Sequence, residues 1–108
     1  MKEVVHSVMG AEYHIMFGDK EEIGLAKENM GECRVYSKRI LVCTEVDDCT
    51  EEELEMRTRE ILAHEIFHAY LNEAGIEIEE DGEELLASFY MKNWEKMSNS
   101  IKEVYRNT

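Results

Sequence analysis

At 108 residues the chain is sized for one domain around one core, with no room for a separate substrate domain, so residues 1–108 are read as a single unit. A formal net charge of -13, from 25 acidic against 12 basic residues, repels phosphate backbones and argues against direct nucleic-acid binding. The basic footprint that such binding needs shrinks to Arg34, Lys38 and Arg39, which read as a solvated strand face.

Hydrophobic content is ordinary at 44 %, and no run approaches the roughly 18 apolar residues of a membrane span. The first residues, "MKEVVHSVMGAEYH", lack a signal-peptide core, and Cys33, Cys43 and Cys49 are odd in number without a CxxC pair. Free thiols, a reducing compartment and a cytoplasmic address are therefore expected, with no membrane partner.

In chain order, Tyr13, Ile15 and Phe17 alternate with His14 and Met16, the period-two pattern of a half-buried strand that ends at "GDK". His14 is structural in this reading. The next stretch, "EEIGLAKENMG", reads as a short helix closed by Gly31, weakened by Gly24. "ECRVYS" and "RILVCTE" are rich in β-branched and aromatic residues and form a hairpin or adjacent strands.

The second half is helical. Thr50 and Glu53 have capping-box spacing, so a helix starts near Glu51 and runs to Gly75, with acidic residues in its first turn where the helix dipole favours them. After "IEIEEDG", a second helix spans about Glu83 to Tyr105, and its stripe of Leu86, Phe89, Tyr90, Trp94, Met97 and Ile101 reads as core.

The first long helix carries "AHEIFHAY". Residues four apart share a helix face, so His64 and His68 can grip one cation, and Glu65 falls beside the open coordination position. Zinc suits neutral imidazoles and brings a water's pKa towards about 7, which leaves Glu65 as general base and then as proton donor to the leaving amine. Random shuffling of this composition yields HExxH in roughly 3 % of sequences, so spacing alone does not decide the matter. Context adds to it: the histidines share a stripe with Ile61 and Leu71, and two stacked imidazoles are awkward to bury without a common ligand. A third histidine at metzincin spacing is missing, since Leu71 and Ala74 stand there. A carboxylate from the next helix completes the set, with Glu79, Glu80, Glu83 and Glu84 in range and helical phase favouring Glu83.

"ILAHEIFHAYLNEAG" followed by "EELLASFYM" resembles the small gluzincin-type metallopeptidases of phages and mobile elements, and is similar in outline to the ImmA/IrrE family and the minigluzincins over roughly residues 33–94. The E-x-x-A-x-x-aromatic pattern of that family falls on Glu84, Ala87 and Tyr90, so the resemblance makes Glu84 the third ligand, with Glu83 the alternative. It departs in having "KNWEKM" where the family often closes that helix with Leu-Leu-Met-Pro.

The resemblance implies an α+β, zincin-like domain: a short antiparallel or mixed sheet of about three strands packed on the HExxH helix and a second C-terminal helix. It further implies one Zn2+ per chain and a peptide or protein substrate, such as a repressor, lying along the sheet edge. Tyr70, Ser88 and Tyr90 are donors of second rank in this scheme. The competing reading is a zinc-binding, catalytically inactive interaction module. Oligomeric state is not set by the sequence.

Overall fold

The computed structural model describes residues 1–107 and opens with a hairpin. Strands β1 (Lys2–Val8) and β2 (Ala11–Gly18) pair antiparallel, with Val8 opposite Ala11. The chain turns through Met9 and Gly10 at φ 49° and 87°, and two successive positive φ values give the mirror-image turn whose twist matches paired strands. The sheet thus has four strands rather than about three, and β1 is the addition. Only Val8 of β1 is buried, so its sequence carries no apolar alternation, and ladder hydrogen bonds hold it instead.

Asp19 caps the single-turn helix α1 (Lys20–Ile23) with a reciprocal box: its carboxylate accepts from the Glu22 N–H at 2.8 Å, and Glu22 accepts from the Asp19 N–H at 3.2 Å. This helix ends at Gly24, φ 73°, and not at Gly31, because Gly24 already supplies the left-handed conformation that stops it.

Strands β3 (Gly31–Arg34) and β4 (Arg39–Cys43) form the expected hairpin. Strand β4 then pairs parallel to β2, giving the order β1-β2-β4-β3. Strand β3 lies at an edge, so one row of its backbone groups is left open.

Alternation along β4 splits the core between the two sheet faces. Ile40 and Val42 join Val8, Tyr13 and Ile15 on the side that meets Ile61 and Ala69 of helix α2 (Glu51–Glu73). Leu41 and Cys43 point the other way, onto Ile23 and Leu25. Helix α2 starts where expected: Thr50 Oγ1 accepts from the Glu53 N–H at 3.2 Å, although the Glu53 carboxylate makes no return bond. It ends at Gly75, φ 69°, where the N–H groups of Gly75 and Ile76 cap the carbonyls of Asn72 and Leu71. Near that end Glu73 accepts from the Tyr13 hydroxyl at 3.0 Å and from Lys38 Nζ at 2.7 Å, pinning the helix to the sheet.

Helix α3 (Glu80–Arg106) begins one turn earlier than expected, since Gly82 does not interrupt it. It runs antiparallel to α2, with Tyr90 against Phe67 and Glu95 against Arg59. The stripe read as core is not core. Leu86, Phe89, Met97 and Ile101 are 44 %, 57 %, 41 % and 58 % exposed, Tyr90 and Trp94 are half-buried, and Ala87 is the one buried residue of this helix. Amphipathicity states that a face needs cover without naming what covers it, and α2 reaches along α3 only as far as about Glu95. No helix among the described residues is long and apolar enough to cross a membrane.

Candidate metal centre

The middle of α2 places His64, Glu65 and His68 under the edge strand. Ile61, Glu65 and Ala69 follow one another at i, i+4, i+8 and turn into the core, which leaves His64 and His68 on the adjoining stripe, facing the first turns of α3. Their Nε2 atoms stand 3.3 Å apart.

From α3, Glu84 reaches both rings, its carboxylate oxygens lying 3.3 Å from His64 Nε2 and 2.9 Å from His68 Nε2. Glu83 does something different: it sits 2.6 Å from His68 Nδ1, on the far side of the same ring. A carboxylate bound to Nδ1 fixes the ring's orientation and leaves Nε2 for a ligand, the usual arrangement behind a metal-bound histidine.

The donors fit zinc. His64, His68 and Glu84 each offer an atom within 4.8 Å of the others. A tetrahedron with bonds of about 2.0 to 2.1 Å has edges of about 3.3 Å, which is the separation of the two Nε2 atoms, and Glu84 brings one oxygen within 2.9 Å of His68 and the other within 3.3 Å of His64. Burial, with a smaller push from His68, outweighs the attraction of Glu84 and lowers the His64 pKa, which favours the neutral form that metals bind.

Glu65 is 7 % exposed and makes no hydrogen bond or ion pair among the described residues. Burial is the main reason its carboxyl is lifted from 4.5 to about 7; Glu84 and Glu32 push the same way, and His68 opposes them. Gly31 makes room for it, since a β-carbon there would come within 2.8 Å of Glu65 Oε2. That glycine, expected to end a helix, instead begins β3 and lets the strand lie against the carboxylate.

A cleft of about 580 Å3 lies over these groups, bounded by Gly31, Glu32 and Cys33 of the strand and by Glu80, Glu83 and Glu84 of α3. A second hollow of about 300 Å3 continues it past Gly31, adding Glu28, Arg57 and Ser88. Burial, then Glu65 and Glu83, push the Cys33 thiol up to about 12, so it stays protonated beside the centre. Asn29, Gly31 and Glu32 escape sequence reasoning as cleft residues, and Glu80, in range as a ligand, lines the cleft without reaching the histidines. Only the strand assignment around Cys33 hinted that this segment borders the helix.

Other expected residues fall elsewhere. Tyr90 stacks on Phe67 with ring centroids 5.3 Å apart, and Tyr70 is exposed outside the cleft, so of the three suggested donors only Ser88 lines the continuation. Arg34 pairs with Glu32 and donates to the Gly24 carbonyl, and Lys38 is held by Glu73, so neither offers a loose cation. Cys33, Cys43 and Cys49 are free thiols. No protein-family model matches the chain, and neither a curated protein nor a solved structure matches it.

Proposed function

We propose that this chain is a zinc-dependent metallopeptidase of the small gluzincin type, holding one Zn2+ through His64, His68 and Glu84. The observation that carries the reading is the convergence of two Nε2 atoms and one carboxylate on a cleft that the largely buried Glu65 also lines. Zinc held by such donors acts as a Lewis acid that polarises a carbonyl and brings a water's pKa towards neutrality.

Glu65 would take the proton from the attacking water on its carboxylate and pass it to the leaving amine nitrogen. Glu83 holds the His68 ring through Nδ1. The open edge of β3 offers main-chain hydrogen bonds to an extended peptide, while the carboxylates of Glu28, Glu32 and Glu80 along the rim repel acidic segments. A protein substrate such as a repressor, met in a reducing cytoplasm where the three thiols stay free, is in keeping with the mobile-element resemblance.

The second reading is a zinc-binding interaction module with no turnover. Glu65 weighs against it, because burial raises its carboxyl pKa, so keeping it ionised at the cleft costs stability, and a purely structural site gains nothing from that. Metal analysis of the purified chain, with a quenched-peptide library as substrate, tests both. One zinc per chain and cleavage that disappears in Glu65→Gln support the peptidase; zinc without cleavage supports the module; and a chain that binds no zinc removes both.

A further inference from the structure

The two hollows over the histidines are chambers of one trough. Their lining residues advance together along three elements: from His68 through His64 to Arg57 on α2, from Glu80 through Glu84 to Met91 on α3, and from Val35 through Gly31 back to Glu28 on the edge strand and the loop before it. The chambers therefore lie end to end. They share Asn29, Gly31, His64, Glu65 and Glu84, so the metal group sits at their junction. The stretch of α2 from His68 to Arg57 is about 16 Å long, the reach of about five residues of extended chain.

The chambers differ in charge. The first holds Glu32, Glu80 and Glu83 beside the junction carboxylates, and no lysine or arginine lines it. With Glu84 committed to the metal, Glu83 to His68 Nδ1 and Glu32 to Arg34, Glu80 remains exposed in the first turn of α3, with no hydrogen bond or ion pair among the described residues. The second chamber sets Glu28 against Arg57 and adds the apolar surfaces of Met30, Ile61 and Met91. Thioethers adapt their shape to whatever apolar group lies on them.

Clustered carboxylates do not by themselves mark a ligand site. Glu65 supplies a separate mark: 7 % exposed and making no hydrogen bond or ion pair among the described residues, it lines both chambers where they meet. The open backbone row of β3 runs along the same trough.

We infer that the substrate is an extended segment of about five residues, with a lysine or arginine over Glu80 on one side of the scissile bond and an apolar side chain against Met30 and Met91 on the other. This substrate class rests on the peptidase reading. It describes a basic linker or chain terminus, because a folded surface does not enter a trough between a strand and a helix.

Quenched peptides that run from lysine through alanine to glutamate on one side of the bond, and from leucine to aspartate on the other, test it on the zinc-loaded chain. Labelled copies of the same peptides, titrated onto zinc-loaded Glu65→Gln and followed by fluorescence anisotropy, report binding without turnover. Lysine is expected to exceed glutamate at least about tenfold in both kcat/KM and affinity, with leucine ahead of aspartate on the opposite side. Glu80→Lys is expected to lower the lysine preference at least about tenfold. Glu77→Lys makes the same charge change on an exposed residue outside the trough and is expected to leave that preference in place. Zinc content and circular dichroism check that each variant is loaded and folded.

Peptides cut with no such charge preference, or a preference that survives Glu80→Lys, overturn the substrate class and leave the peptidase reading standing. Peptides that bind with the preference but are never cut overturn the peptidase reading and keep the recognition of basic segments. A chain that neither binds nor cuts them overturns both.

Discussion

Gly31 and Glu65 meet where the edge strand crosses α2: a β-carbon on Gly31 would stand 2.8 Å from Glu65 Oε2 and 2.7 Å from Ile61 Cγ2. Ile61 is 4 % exposed and cannot swing aside, so either the strand or the carboxylate has to move. Gly31→Ala is expected to destabilise the fold by about 1 to 3 kcal/mol, and to depress cleavage further than the loss of folded protein explains. Denaturant unfolding alongside peptidase assays on the folded fraction separates the two effects; unchanged turnover would show that the contact does not position Glu65.

Glu65→Gln has opposite effects on turnover and on stability. A carboxyl group whose folded pKa is raised from 4.5 to about 7 binds its proton more tightly folded than unfolded. The stability this contributes is complete below about pH 4.5 and is lost as pH rises through about 7. Glutamine has no proton to lose. With metal removed by chelator, the variant is therefore expected to unfold at higher denaturant than the parent near pH 8, by up to about 3 kcal/mol, with the gap closing near pH 4.5. The same variant in its zinc-loaded form is expected to cleave nothing.

Glu83 and Glu84 are distinguished by what each removal costs. Under the proposed function Glu84→Gln takes away a ligand, whereas Glu83→Gln releases only the far side of the His68 ring and is expected to cost about 10- to 100-fold in zinc affinity. Competition with a fluorescent chelator ranks the pair. A larger loss for Glu83→Gln would hand the third position to that residue.

The clamp at the end of α2 sets an acid limit. Lys38, donating to Glu73, is the main reason its carboxyl is held below the usual range, and the Tyr13 hydroxyl adds to it. A depressed carboxylate contributes stability above its unfolded pKa, about 4.5, and that contribution is lost as pH falls through the folded value. Glu73→Gln is expected to be less stable than the parent at neutral pH and to match it once both are well below about pH 4. A difference that persisted there would mean the clamp works by shape rather than charge.

Periodicity and caps carried much of this structure. Thr50 opened α2, Gly75 closed it, and histidines four apart had to share a face, so the histidine half of the candidate site was legible in ten residues. The carboxylate that completes the group was legible only in parts: helical phase chose Glu83 and the family pattern chose Glu84, and both touch a histidine. Strand β1 stayed hidden because a strand that buries only Val8 has no alternation to read, and its Met9-Gly10 turn lacks the usual Asn-Gly or Asp-Gly signature. Gly31 misled for a different reason. A glycine that ends a helix and one that makes room for a carboxylate look alike until the facing residue is known.

Helix α3 is 27 residues long and sinks only Ala87 into the interior. Its root is fastened where two imidazoles meet two carboxylates, with Tyr90 on Phe67 and Glu95 beside Arg59 as further ties along α2. Anything that tightens the root adds to the hold on a quarter of the chain. Amide exchange along residues 80–107 would then report, at a distance, whether a cation sits between the histidines.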